Sequence, residues 1–337
     1  MTLTLFTLFA LAVVALAVAG PHLVRWSSPL LMRAPRLAST LLLGALAVWS
    51  TAVVVLSVAL AGLAGGPSLL PSPVAGICRR CLAAASPFSP TAPVELPVPM
   101  AVLVLLPLAG TALMGAAALR GLLRRARSTR AVVSEVRAVG VPAVAAGHRV
   151  LLVPAPEPLA FALPRRHGGI VVSRGLLDSL GEDELSAVLE HERAHLAQHH
   201  HTVLAVLDAV VGPLRVIPLF RAVGSAVPHL LEIAADDASR HRSGTAALAG
   251  ALLTLGAAQT PGAPTARPTA QGALLHATGP AGVGTDRIGH LVSPAAARSA
   301  LVPVMTLSTL LMALIGLALA VVAPYAMLLL NGCTLPL

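Results

Sequence analysis

The run Leu189-Glu190-His191-Glu192-Arg193-Ala194-His195-Leu196 contains the pattern H-E-x-x-H. On a helix, two imidazoles four residues apart project from one face and can reach a single tetrahedral ion. The flanking residues predict that helix. Gly181 is an acceptable N-cap, Glu182, Asp183 and Glu184 place negative charge in the first turn, and Leu185, Val188, Leu189 and Leu196 recur at helical spacing. At about 100° per residue, His191 and His195 border this apolar stripe and Glu192 falls within it. All three side chains therefore point toward an interior, while Ser186, Glu190 and Arg193 face away. A solvated His-rich face would show the reverse.

A hydrolytic zinc site has three protein ligands and one position left for water. His201 stands at the spacing of the H-E-x-x-H-x-x-G-x-x-H motif, in which a Gly breaks the helix so that the last His swings back. Here that position holds Gln198. With no turn residue, His201 is expected to stay on the same helix, about 15 Å along it from His191 and out of reach. Glu232, in Leu231-Glu232-Ile233-Ala234-Ala235-Asp236, is the favoured candidate. Pro228 can open a helix just before it, and Asp236 falls on the same face one turn later. That sets a carboxylate ligand beside a second carboxylate suited to accept an N–H from a metal-bound imidazole. His199, His200 and His201 are then expected to form an exposed helix end.

The predicted site is one zinc ion held by His191, His195 and Glu232, with Asp236 behind a ligand and Glu192 as catalytic base. Two imidazoles, one carboxylate and an open position favour zinc among the divalent ions. Glu192 neighbours a ligand on the same helix, so it can take a proton from the attacking water and return it to the leaving amine. Arg240 and His241 are candidate donors to the transition state.

Around this motif the chain suits a bilayer. Its 337 residues are 56% hydrophobic and 11% charged, with mean hydropathy +0.84, too apolar for an ordinary soluble domain. Residues 1–20, 37–65 and 98–119 lack charge over a length that can cross a membrane, and a fourth such stretch runs over residues 301–330. Residues 120–298 carry normal charge density and are the right size for one folded domain. The expected organisation is three spans with their loops over 1–119, a metallopeptidase domain over 120–298, and a fourth span with a short tail over 299–337.

Ala17-Val18-Ala19 resembles a small-residue cleavage site, but the amino end has no positive charge and Arg25, Arg33 and Arg36 follow the stretch. This favours an uncleaved span with its amino terminus outside. Arg120, Arg124, Arg125, Arg127 and Arg130 crowd the exit of the third stretch, whereas loop 66–97 carries only Arg79 and Arg80. The bias places 120–298 in the cytoplasm and the carboxyl terminus outside.

A net charge of +9 with pI 11.3 could suggest nucleic acid, but the chain has one Tyr, two Trp and no Lys, and its densest Arg cluster lies beside a span. Anionic lipid headgroups fit better, and no direct nucleic-acid partner is expected. Cys78, Cys81 and Cys333 all fall outside in this topology. A disulfide is permitted there, while a single C-x-x-C is weak evidence for metal or redox chemistry.

H-E-R-A-H on one helix with E-I-A-A-D on a later one resembles the gluzincin membrane peptidases. Three spans before the catalytic domain and one after it resemble the BlaR/MecR type, the antirepressor or sensor-transducer peptidases. Ala160-Phe161-Ala162-Leu163, Gly169-Ile170-Val171-Val172-Ser173 and Gly175-Leu176-Leu177 resemble the strand, strand and helix that lead into the active-site helix in these families. The resemblance implies a mainly α membrane protein, with four transmembrane helices and a cytoplasmic α+β gluzincin-type zinc metalloprotease domain inserted between spans three and four. It further implies hydrolysis of a cytoplasmic protein substrate, such as a cognate transcriptional repressor. One departure bears on the signal: the penicillin-sensing members use a Ser-x-x-Lys motif, and a chain without Lys is not expected to sense a β-lactam covalently.

The rival is an HtpX-like membrane-protein quality-control protease, a group that generally has two spans before and two after the catalytic domain. A non-catalytic receptor would be expected to show damage to the motif, and all four positions are intact. The apolar runs 150–153 and 159–163 read as strands, one of which could offer an edge to an extended substrate. Residues 259–284, rich in Gly, Ala, Pro and Thr, read as a loop.

Overall fold

The structure is a computed structural model and describes residues 2–63, 100–164, 168–258 and 301–330. Cys78, Cys81, Cys333 and the predicted loop 259–284 lie outside the described residues. Long apolar helices open the chain: α1 (Thr2–Leu31) and α2 (Pro35–Leu63), followed by α3 (Met100–Val139). Strands β1 (Val141–Ala145), β2 (His148–Val153), β3 (Ala160–Ala162) and β4 (Ile170–Ser173) come next. Helices α4 (Arg174–Ser179), α5 (Glu182–Ala197), α6 (His200–Leu214), α7 (Pro218–Ser243) and α8 (Thr245–Ala258) complete the central region, and α9 (Leu301–Leu330) closes the described chain.

Among the described residues three segments are long and apolar enough to cross a membrane: Thr4–Leu31, Pro35–Leu60 and Val304–Pro324. The first is longer than the predicted 1–20, because α1 continues through Pro21 and Pro29. The predicted stretch 98–119 becomes the first half of α3, which runs on through the Arg cluster to Val139 and is not one of these three segments. Helices α1, α2 and α9 pack together, with Trp49 donating its indole N–H to the Val13 carbonyl at 2.9 Å. Large apolar side chains such as Leu11, Leu41 and Met312 remain exposed on their outer faces, as expected where lipid is the solvent.

Two central helices join this bundle. Leu207 and Val211 of α6, and Leu219, Phe220, Val223 and Val227 of α7, share one apolar cluster with Phe9, Leu16, Leu46 and Leu314. The Phe220 ring meets Trp49 edge-on with centroids 5.5 Å apart. Pro218, not Pro228, opens α7, and Pro228 lies inside the helix. Packing of the apolar residues on both sides of Pro228 carries the helix through the missing N–H, which propensity alone would not.

The mixed sheet has the order β1-β2-β4-β3, with β2 and β4 parallel and the other pairs antiparallel. A two-residue turn at Ala146 and Gly147, both at positive φ, joins β1 to β2, the geometry that matches the twist of the strands. Strand β4 is buried throughout because it is covered on both faces. Ile170 and Val172 pack toward Leu185, Val188 and Leu189 of α5. Val171 packs the other way, with Phe161 of β3 and Val132, Val133 and Val136 from the end of α3. Ser173 ends β4 and caps α4: its Oγ accepts from the Leu176 and Leu159 N–H groups and donates to the Glu157 carbonyl. Gly175 follows because an added Cβ would fall on the Pro156 carbonyl.

Candidate metal centre

Helix α5 begins as the sequence predicts. The Gly181 carbonyl accepts from the Leu185 N–H at 2.8 Å, and the Glu184 carboxylate accepts from the Gly181 N–H at 3.3 Å, so one orphan N-terminal donor is satisfied. Its apolar stripe docks on the sheet, which turns His191, Glu192 and His195 inward to between 3% and 7% exposure. Helix α7 crosses the other side of α5 closely. Small residues permit this: Ala187, Ala234 and Ala235 are buried at the crossing, and Ser239 Oγ donates to the Ala187 carbonyl at 2.7 Å.

This crossing brings Glu232 to the two imidazoles. His191 Nε2 and His195 Nε2 lie 3.0 Å apart, and the Glu232 carboxylate oxygens lie 3.5 Å from the first and 3.6 Å from the second. Ligands about 2.05 Å from a tetrahedral zinc are separated by about 3.3 Å, so the three side chains have the spacing that zinc requires. The group His191, His195 and Glu232 can therefore hold one metal ion, and its two nitrogens and one carboxylate are the donor set of a hydrolytic zinc site. Asp236, 1% exposed, places Oδ1 2.9 Å from His191 Nδ1.

The expected exposed His run holds for His199 and His201 and is corrected at His200, which is buried. The helix does break, without a Gly: α5 stops at Ala197, and His199 takes the left-handed conformation at φ 55°, ψ 34°. A non-glycine residue there carries a cost of about 1–2 kcal/mol, which the surrounding packing must overcome. The break starts α6 and folds His200 under α5, where it is 1% exposed, with Nδ1 2.7 Å from His195 Nδ1 and Nε2 3.2 Å from Gln198 Oε1. His201 points outward and is not among the residues that converge on the metal group.

Glu190, expected to face away, is half-buried in an ionic cluster with Arg193 at 2.8 Å and with His148 and Arg242 each at 3.5 Å. Arg240 lies with Nε 3.0 Å from Asp237, and His241 is exposed at the end of α7. The sequence reading missed His200 and Gln198. Their only local signal is that they follow the second motif His within five residues.

Fold and site together define a class, a protein with several apolar helices of membrane-crossing length and a candidate zinc centre of two imidazoles and one carboxylate. Residues 123–266 match the profile of Peptidase family M48, a stretch that contains every residue of the group above. Over 100 residues the chain is 37% identical to Protease HtpX of Xylella fastidiosa (strain M12), covering 29% of this chain and 32% of that protein. It is 40% identical over 78 residues to Protease HtpX of Thioalkalivibrio sulfidiphilus, covering 23% and 26%. It is also 44% identical over 70 residues to a Protease HtpX homolog of Bordetella pertussis, covering 20% and 24%. The chain thus spans about a third or less of the length of these relatives. No solved structure matches it. The relatives are HtpX proteases, so they favour the rival of the two family readings over the antirepressor type.

Proposed function

We propose that the protein is an HtpX-like endopeptidase of the bacterial cell membrane that hydrolyses peptide bonds in membrane-associated protein substrates close to the bilayer. The observation that carries this reading is the course of α7: its first half packs among α1 and α2, and its second half presents Glu232 to the two motif imidazoles. A metal centre tethered in this way favours clients that arrive along the membrane over a free cytoplasmic repressor.

In the proposed mechanism His191, His195 and Glu232 hold the zinc ion, which when bound supplies Lewis-acid polarisation and lowers the pKa of water at its open position. Glu192 takes the proton from the attacking water and passes it to the leaving amine. Asp236 fixes His191 with its Nδ1 protonated, so that Nε2 is bare toward the ion. We further propose that the charge-free first half of α3 is a fourth span, that both termini lie outside, and that the region from Arg120 onward is cytoplasmic; the crowding of Arg beyond residue 119 supports this.

Strand β3 supports a substrate-binding edge. Leu159 and Leu163 spend backbone groups on β4, through Ser173 N–H and Gly169 carbonyl, so Ala160 and Ala162 direct theirs to the open side of the sheet. This edge packs against α5, and an extended substrate can add there as a strand. Ala162→Pro removes one outward N–H while leaving the β4 pairing intact. A loss of about 5- to 10-fold in kcat/KM is expected, the worth of one hydrogen bond, with zinc content unchanged.

The test of the function is a side-by-side digestion by the full chain in proteoliposomes. A destabilised membrane protein embedded in the same vesicles should be cut, in a manner blocked by chelation, faster than a soluble repressor-sized protein offered from solution. Preference for the soluble protein would overturn the proposal.

A further inference from the structure

We infer that His200 is a positioning residue that sets the tautomer of His195, through a relay running from the Ala234 carbonyl by way of Gln198. The inference rests on the reading of His195 as a zinc ligand. The direction of the relay is forced at its far end. The Ala234 carbonyl can only accept, so Gln198 must turn its NH2 group toward it, across 3.4 Å. The other end of the amide, Oε1, then faces His200 Nε2 at 3.2 Å and can only accept, so His200 carries its proton on Nε2. His200 Nδ1 is consequently a bare acceptor. Facing it at 2.7 Å, His195 Nδ1 holds the proton and donates it. Nε2 is thereby the His195 nitrogen that serves an ion, on the side where His191 Nε2 and Glu232 converge.

The two motif imidazoles are therefore prepared for the same ion by different chemistry. His191 leans on a carboxylate, Asp236, and His195 on a neutral imidazole. A neutral orienting group leaves the centre one unit less negative than a second carboxylate would. The relay also ties α5 to α7, because Ala234 lies between Glu232 and Asp236 on the helix that supplies both. The left-handed turn at His199 brings His200 into place.

The experiment compares wild type, His200→Phe, His200→Asn and Gln198→Leu as full chains in detergent, with two readouts. The first is the long-range proton–nitrogen spectrum of ring-labelled, metal-free protein, which reports the His195 tautomer without any metal. Wild type should show a proton on His195 Nδ1, and His200→Phe should lose it and show Nε2–H alone. His200→Asn, whose Oδ1 can occupy the place of the lost Nδ1, should restore the wild-type form. The second readout is zinc affinity by chelator competition. His200→Phe should weaken binding about 10- to 100-fold and Gln198→Leu by less, while His200→Asn stays within a few-fold of wild type. If the His195 tautomer is unchanged in His200→Phe, or if His200→Asn behaves as His200→Phe does, the relay is wrong and His200 only packs. If wild type shows the expected tautomer but binds no zinc, the metal reading fails while the relay stands.

Discussion

Glu192→Gln is expected to lower the rate of peptide hydrolysis by about 10²- to 10⁴-fold while the purified protein keeps about one zinc per chain. The side chain is 5% exposed and sits one residue after His191 on α5, yet Glu192 is not one of the three groups whose ligand atoms converge. Gln preserves its shape and removes the basic oxygen, so water at the open position has no group to take its proton. Neutralising a buried carboxylate also removes a desolvation cost, so the melting temperature should hold or rise. Metal analysis, a turnover assay and a thermal melt on one preparation check this. Loss of zinc together with activity would place Glu192 among the ligands and contradict its role as base.

Glu232→Ala is expected to abolish activity and to weaken zinc binding by more than about 100-fold, beyond the usual effect of losing a group behind a ligand. It removes the only carboxylate in the converging group and leaves two imidazoles. A consequence for stability follows by linkage. Zinc at 100 times its Kd stabilises the wild type by about 2.7 kcal/mol, so a strong chelator should lower the wild-type melting temperature and leave that of Glu232→Ala unchanged. His201→Ala is the control and should alter neither zinc content nor melting, because His201 is exposed and outside the group. If His201→Ala alone empties the site, the third ligand has been wrongly identified.

Much of the centre was legible because it is written in short-range periodicity. The H-E-x-x-H spacing, the acidic first turn after Gly181 and the apolar stripe of α5 sit within one helix, and the inward turn of His191, Glu192 and His195 follows from them. Glu232 and Asp236 share a helix face for the same reason. The apolar segments at both ends of the chain were equally plain, since a bilayer demands unbroken apolar length and that is a property of composition.

What sequence could not supply depends on contacts between distant segments. Pro228 looks like a helix start, and only the packing of α7 against α1, α2 and α6 shows that Pro218 opens the helix and that Pro228 lies within it. Gln198 is no turn residue, yet the chain turns beside it. The amide reaches Ala234, 36 residues away, and His200 is buried against His195, contacts that together hold His199 in a conformation its own propensity disfavours. The sequence by itself determined which side chains on each helix could face one ion, because helical spacing is local in the chain. The tertiary structure alone decided that Glu232 meets the two imidazoles, which groups lie behind them, which strand stands at the sheet edge and how α7 meets the bundle of apolar helices, because hydrogen-bond partners and packed surfaces are chosen in space.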